Sequence, residues 1–205
     1  MISLSLIIVD VQNDFCPGGA LAVPKGDEVV AVINKLLEDE WYSAVVATQD
    51  WHPAGHKSFA SSHPGKAPYD VIDLNGLPQV LWPDHCIQGS KGAEIRNDLE
   101  MRHVEKVFQK GADPEVDSYS GFFDNGGRNP SGLAEYLKEQ HARNLHIVGL
   151  ATDYCVRATA LDAIKLGFRV TLVQNACRAV GVKPADEEAA LKEMAERGVH
   201  LWSSV

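Results

Sequence analysis

The sequence predicts an α/β protein: one domain of three layers, with a mostly parallel sheet of about six strands and helices on both faces. Three observations lead there. Strand and helix patterns alternate along the chain, which places strands side by side with helices over them. Leu145-His146-Ile147-Val148-Gly149-Leu150 is short and almost wholly apolar, as strands buried on both faces of a parallel sheet are. The length of 205 residues suits one domain, able to bury roughly 70 % of its unfolded surface.

The elements follow in order. Ser5–Asp10 reads as a strand carrying Leu6-Ile7-Ile8-Val9. Asp27–Glu40 reads as a helix with Val29, Val30, Val32, Ile33, Leu36 and Leu37 on or near its buried side. Ala44–Gln49 and Glu105–Phe108 are the second and third strands. A helix at about Ser131–Glu139 precedes the fourth, Leu145–Leu150. Another helix, at about Tyr154–Leu166, repeats Val156, Ala160, Ala163 and Ile164 at helical spacing. Phe168–Val173 is a fifth strand, Ala185–Arg197 a helix, and Val199–Ser203 a sixth strand. Residues 1–205 thus form a single domain, interrupted by an insertion at about 50–104. That insertion has little periodicity, yet from Asp50 to His103 it holds five of the ten prolines and five of the eight histidines. Its histidines and tryptophans argue against disorder and for a binding loop.

A net charge of −9 argues against nucleic acid or an anionic membrane as partner. No apolar run approaches membrane-spanning length. The amino-terminal apolar run stops at Asp10, so it reads as a strand rather than a signal peptide. Four scattered cysteines make no disulfide framework and point to a reducing cytoplasm.

Ligands of such sheets bind at the carboxyl ends of the strands, and three residues of complementary chemistry fall there. Asp10 follows the first strand, Lys110 closes Val107-Phe108-Gln109-Lys110-Gly111, and Cys155 follows the fourth strand. An acid to take a proton, a cation and a thiol make up an activated nucleophile. Thr152 or Asp153 can cap the helix, and Cys155 in its first turn is expected to have a lowered pKa that favours thiolate. Cys16, Cys86 and Cys177 lack such a setting and read as structural. Asp50 and His52 lie just past the second strand, with His85 in Trp82-Pro83-Asp84-His85-Cys86. A carboxylate and two imidazoles suit Zn²⁺, Fe²⁺ or Mn²⁺ with water completing the shell. His56 is either a further ligand or a supporting side chain. Phe15, five residues past Asp10, can wall the same pocket; Trp82, Tyr119, Phe122 and Phe123 lie near these points.

Together these residues resemble the nicotinamidases of the isochorismatase-like cysteine hydrolases. The matching stretches are Ile8-Val9-Asp10-Val11-Gln12-Asn13-Asp14-Phe15, Gln49-Asp50-Trp51-His52-Pro53, Trp82-Pro83-Asp84-His85-Cys86, Phe108-Gln109-Lys110-Gly111 and Gly149-Leu150-Ala151-Thr152-Asp153-Tyr154-Cys155-Val156. Asp117-Ser118-Tyr119-Ser120-Gly121-Phe122-Phe123 is similar to the family's substrate loop. The resemblance implies a catalytic triad of Asp10, Lys110 and Cys155, with an oxyanion hole at Ala151 and Cys155. It implies one divalent metal, Zn with Fe or Mn as alternatives, on Asp50, His52 and His85. Phe15, Trp82 and Tyr119 would hold the pyridine ring with Leu21 nearby, and the Leu150–Ala151 peptide would be cis. The implied activity is hydrolysis of nicotinamide to nicotinic acid and ammonia in NAD salvage, with pyrazinamide as a second substrate. Two rivals stay open at this point: a related hydrolase acting on another small amide or on isochorismate, and a metal-binding redox sensor. Oligomeric state is not legible.

Overall fold

A computed structural model of the protein describes residues 3–38 and 42–203. Strand β1 (Leu4–Val9) has every residue after Leu4 buried. Helix α1 (Glu28–Glu38) buries Val29, Val30, Ile33, Leu36 and Leu37. The predicted Asp27–Glu40 helix is thus present, and its last two positions, 39 and 40, lie outside the described residues. Strand β2 (Ala44–Asp50) follows, then a hairpin of β3 (Val71–Leu74) and β4 (Leu77–Val80), then β5 (Lys106–Lys110). Helix α2 (Leu133–Glu139) leads into β6 (Asn144–Leu150). One wide π-turn, Thr152–Val156, opens into α3 (Arg157–Lys165), and β7 (Arg169–Arg178), α4 (Asp186–Glu196) and β8 (His200–Trp202) complete the order.

Among the described residues six strands form one sheet in the order β5-β2-β1-β6-β7-β8, and every pairing in it is parallel. All six carboxyl ends therefore meet one edge. The order reverses between β1 and β6, where a parallel sheet opens a crevice for ligands. Side chains alternate across each strand, so Leu6 and Ile8 join the apolar cluster containing α1, while Ile7 and Val9 join the one containing α2 and α3. The core is two layers of apolar side chains, one on each side of the sheet.

Two elements differ from the sequence reading. The insertion is not irregular throughout: β3 and β4 pair antiparallel about Asn75-Gly76, both at positive φ, as a two-residue hairpin turn demands. Strand β7 runs to Arg178 rather than Val173. Between Ile147 and Gly149 of β6 the partners jump from Leu172 to Cys177, so β7 bulges at polar Gln174-Asn175 and then resumes pairing.

Candidate active site

The three strand-end residues meet at the reversal point. Lys110 Nζ lies 2.8 Å from Asp10 Oδ2, 2.5 Å from Asp50 Oδ1, 2.9 Å from the Ser118 carbonyl and 3.4 Å from Cys155 Sγ. Carboxylate oxygens of Asp10 and Asp50 and the Cys155 sulfur all lie within 4.8 Å of one another. Each of these side chains is buried. Asp10 leaves β1 at φ 48, a left-handed conformation uncommon outside glycine and frequent at functional sites. Thr48 Oγ1 donates to Asp10 Oδ1 at 2.7 Å. Oδ2 has the ammonium as ionic neighbour but no aligned hydrogen-bond donor, so it keeps capacity for a proton.

The electrostatics reverse one expectation. Burial pushes the Cys155 thiol well above the ordinary range; Lys110 opposes this, but Asp10 and Asp50 reinforce it. The resting sulfur is therefore a thiol. Lys110 does favour the thiolate, but burial together with the two carboxylates outweighs it. Burial alone would lower the Lys110 pKa, yet Asp10 and Asp50 outweigh it and hold the amine charged. Burial, opposed by Lys110, also raises the Asp10 carboxyl. The expected cap is absent as well. No side chain caps the π-turn, and Asp153 instead accepts the Val180 and Gly181 N–H groups.

Asp50, His52 and His85 present ligand atoms within 4.8 Å of one another. His52 Nε2 and His85 Nε2 lie 3.6 and 3.8 Å from Asp50 Oδ2. The other ring nitrogens donate to backbone carbonyls, His52 Nδ1 to Gly111 at 2.9 Å and His85 Nδ1 to Pro83 at 2.7 Å. With Nδ1 held in each ring, Nε2 is the nitrogen left to face the carboxylate and the one a metal would take; Asp50 meanwhile raises the His52 pKa against the opposing effect of burial. Gln12 grips the Asp50 backbone on both sides: its Nε2 donates to the Asp50 carbonyl, and its Oε1 accepts the Asp50 N–H, each at 2.8 Å. The residues present fit one divalent ion. His56 does not join them, since Nδ1 accepts the Ser58 N–H and Nε2 donates to the Asp113 carbonyl.

Phe15, Leu21, Trp82 and Tyr119 line one narrow cleft with Ala151 and Cys155, and Asp50 lies at its side. The Leu150–Ala151 peptide is cis. Phe122 does not reach the cleft; it stacks on Phe168 in the core. Three lining residues were missed: Asp117, Tyr154 and Val180. Asp117 and Tyr154 stand within the quoted motifs, but their inward aim depends on a loop and a π-turn that residue spacing does not encode. Asp14 accepts the Cys86 N–H at 2.7 Å, tying the loop after β1 to the insertion.

A doubly wound parallel sheet carrying this buried group at its reversal point has a known family. Residues 5–204 match the family model described as the isochorismatase domain, and the chain belongs to that family. Within it, the similarity is to nicotinamidases. The Escherichia coli (strain K12) nicotinamidase is 49 % identical over 97 % of this chain and 94 % of its own. A structure titled as an Acinetobacter baumanii nicotinamidase and pyrazinamidase superimposes with TM-score 0.94 at 42 % identity, covering 99 % of this chain and 97 % of the other. The pyrazinamidase of Pyrococcus horikoshii, solved in complex with zinc, has TM-score 0.80 at 38 % identity over 98 % and 99 % of the two chains.

Proposed function

We propose that this protein hydrolyses nicotinamide to nicotinic acid and ammonia through a thioester on Cys155. The observation that carries this is the single ammonium of Lys110, which joins Asp10 and Cys155 to Asp50 of the adjoining Asp50, His52 and His85 group. In this reading Asp10, Lys110 and Cys155 are the catalytic residues. Phe15, Trp82 and Tyr119 hold the ring, with Leu21 beside them. Asp50, His52 and His85 hold a divalent ion, zinc by likeness to the Pyrococcus horikoshii protein. When bound, that ion supplies a Lewis acid that fixes the pyridine nitrogen.

The residues then divide the chemistry. Asp10 Oδ2 takes the thiol proton as Sγ attacks the amide carbon, so the thiolate forms only as it is consumed. Lys110 stays protonated and offsets the negative charge as it passes from the carboxylate through sulfur to the substrate oxygen. The Ala151 and Cys155 N–H groups hold the oxyanion; in other enzymes loss of one such donor costs about 3–4 kcal/mol. Protonated Asp10 gives its proton to the departing nitrogen, which breaks the C–N bond and releases ammonia. Asp10 next draws a proton from water, whose oxygen attacks the thioester carbon. Nicotinic acid leaves and the thiol regains its proton.

Pyrazinamide, with the same carboxamide on a diazine ring, is the second substrate. The four cysteines are free thiols, in keeping with a reducing cytoplasm, while a role in NAD salvage rests on the likeness to nicotinamidases. No helix among the described residues is long and apolar enough to cross a membrane. Incubation with nicotinamide, with ammonia and nicotinic acid measured beside elemental analysis, tests the assignment. Release of both products by metal-loaded protein is expected, and their absence refutes it.

A further inference from the structure

One buried polar side chain outside the triad and the metal-facing group joins two walls of the cleft without being a wall itself. Gln79 lies on β4 and is 2 % exposed. Its Nε2 donates to Asp117 Oδ2 at 2.9 Å, to the Tyr119 hydroxyl at 3.2 Å and to the Val80 carbonyl at 2.7 Å. Trp82 Nε1 donates to the same hydroxyl at 3.1 Å. A phenol oxygen has two lone pairs, and Gln79 with Trp82 occupies both. Those two donors fix where the Tyr119 oxygen sits. Its ring stands at 86° to that of Trp82, with centroids 6.4 Å apart. Asp117 is fixed likewise, between Gln79 on Oδ2 and the Ser118 N–H on Oδ1 at 2.7 Å.

The chemistry of the position favours an amide. Its two hydrogens are shared among three acceptors, the Val80 carbonyl, the Asp117 carboxylate and, at the longest distance, the Tyr119 hydroxyl. A carboxylate there would repel Asp117, and an apolar side chain would leave buried acceptors unpaired. None of the Gln79 hydrogen bonds reaches Asp10, Lys110 or Cys155. Its influence must pass through the cleft walls.

We propose that Gln79 is a positioning residue for the substrate's aromatic ring: it sets the Tyr119 ring opposite Trp82 and ties the insertion hairpin to the loop at Asp117. The proposal rests on reading the cleft as a pyridine-carboxamide site. Its test is steady-state kinetics of metal-loaded Gln79→Leu on nicotinamide. Loss of ring positioning raises KM roughly tenfold while kcat stays within about twofold, because ground state and transition state lose the same contact. Gln79→Leu combined with Tyr119→Phe should raise KM by less than the product of the two single effects, since both changes act on one hydroxyl while Gln79 also holds Asp117. An unchanged KM in folded Gln79→Leu, a fall in kcat with KM unchanged, or full additivity overturns the role. Should the leucine variant fail to fold, Gln79→Asn, which retracts the amide, must raise KM in the same way; a wild-type KM there overturns it equally. No ammonia from wild type sinks the nicotinamide reading and this role with it. An active wild type beside an unshifted variant sinks only the role of Gln79.

Discussion

At the scale of single residues, the site is organised by one cation shared among three side chains and one backbone carbonyl. In the proposed mechanism Asp10 works as a carboxylate, so activity should be lost as pH falls through its pKa. Burial, opposed by Lys110, places that pKa above the usual carboxylate value. The Thr48 hydroxyl lowers it by donating to the charged form. Thr48→Val removes the donor, the Asp10 pKa rises, and the acid limb of kcat/KM moves to higher pH. A pH–rate profile checks this, and a limb that stays put or moves down contradicts it. The meeting of Asp10, Lys110 and Cys155 was legible because each closes or follows a strand and stands in a recognisable motif. The protonation state of Cys155 was not. A helix start suggests a thiolate, whereas depth of burial and competition of two carboxylates for Lys110 arise only from the assembled fold.

At the scale of elements, the β2–β5 register pairs Asp50 with Lys110 and so couples the ligand group to the triad. The next residue, Gly111, turns away at φ +67, and a Cβ there would lie 2.5 Å from His52 Cε1. Gly111→Ala therefore displaces the imidazole that the Gly111 carbonyl also orients. Metal affinity should fall roughly 10–100-fold, read by titration after chelator dialysis, with turnover restored by excess metal. Unchanged affinity would show that His52 is not held from this side. The alternation that predicts the sheet was plain in Leu6–Val9 and Leu145–Leu150. The hairpin was missed although Asn75-Gly76 is a strong turn signal, because Val71 to Val80 has one exposed face and Pro78 breaks its pattern. The far end of β7 was missed because a bulge removes the periodicity by which a strand is recognised.

At the scale of the whole molecule, stability and chemistry occupy different places. The two apolar layers hold the fold, while the charged group sits at the carboxyl edge. Ile33 of α1 is fully buried in one layer. Ile33→Ala should cost roughly 2–5 kcal/mol, lowering Tm by about 2–4 °C per kcal/mol for a chain of this size. Turnover at saturating nicotinamide and metal should change little; thermal unfolding beside an activity assay checks both. The central claim concerns the edge alone: Cys155 attacks the amide and carries the acyl group. Mass spectrometry of the Cys155 peptide after acid quench during nicotinamide turnover tests it most directly. The account predicts a nicotinoyl thioester on Cys155 in the wild type. It also predicts no adduct and no ammonia from Cys155→Ala, whose metal content stays intact. Ammonia release by that variant at the wild-type rate would contradict it.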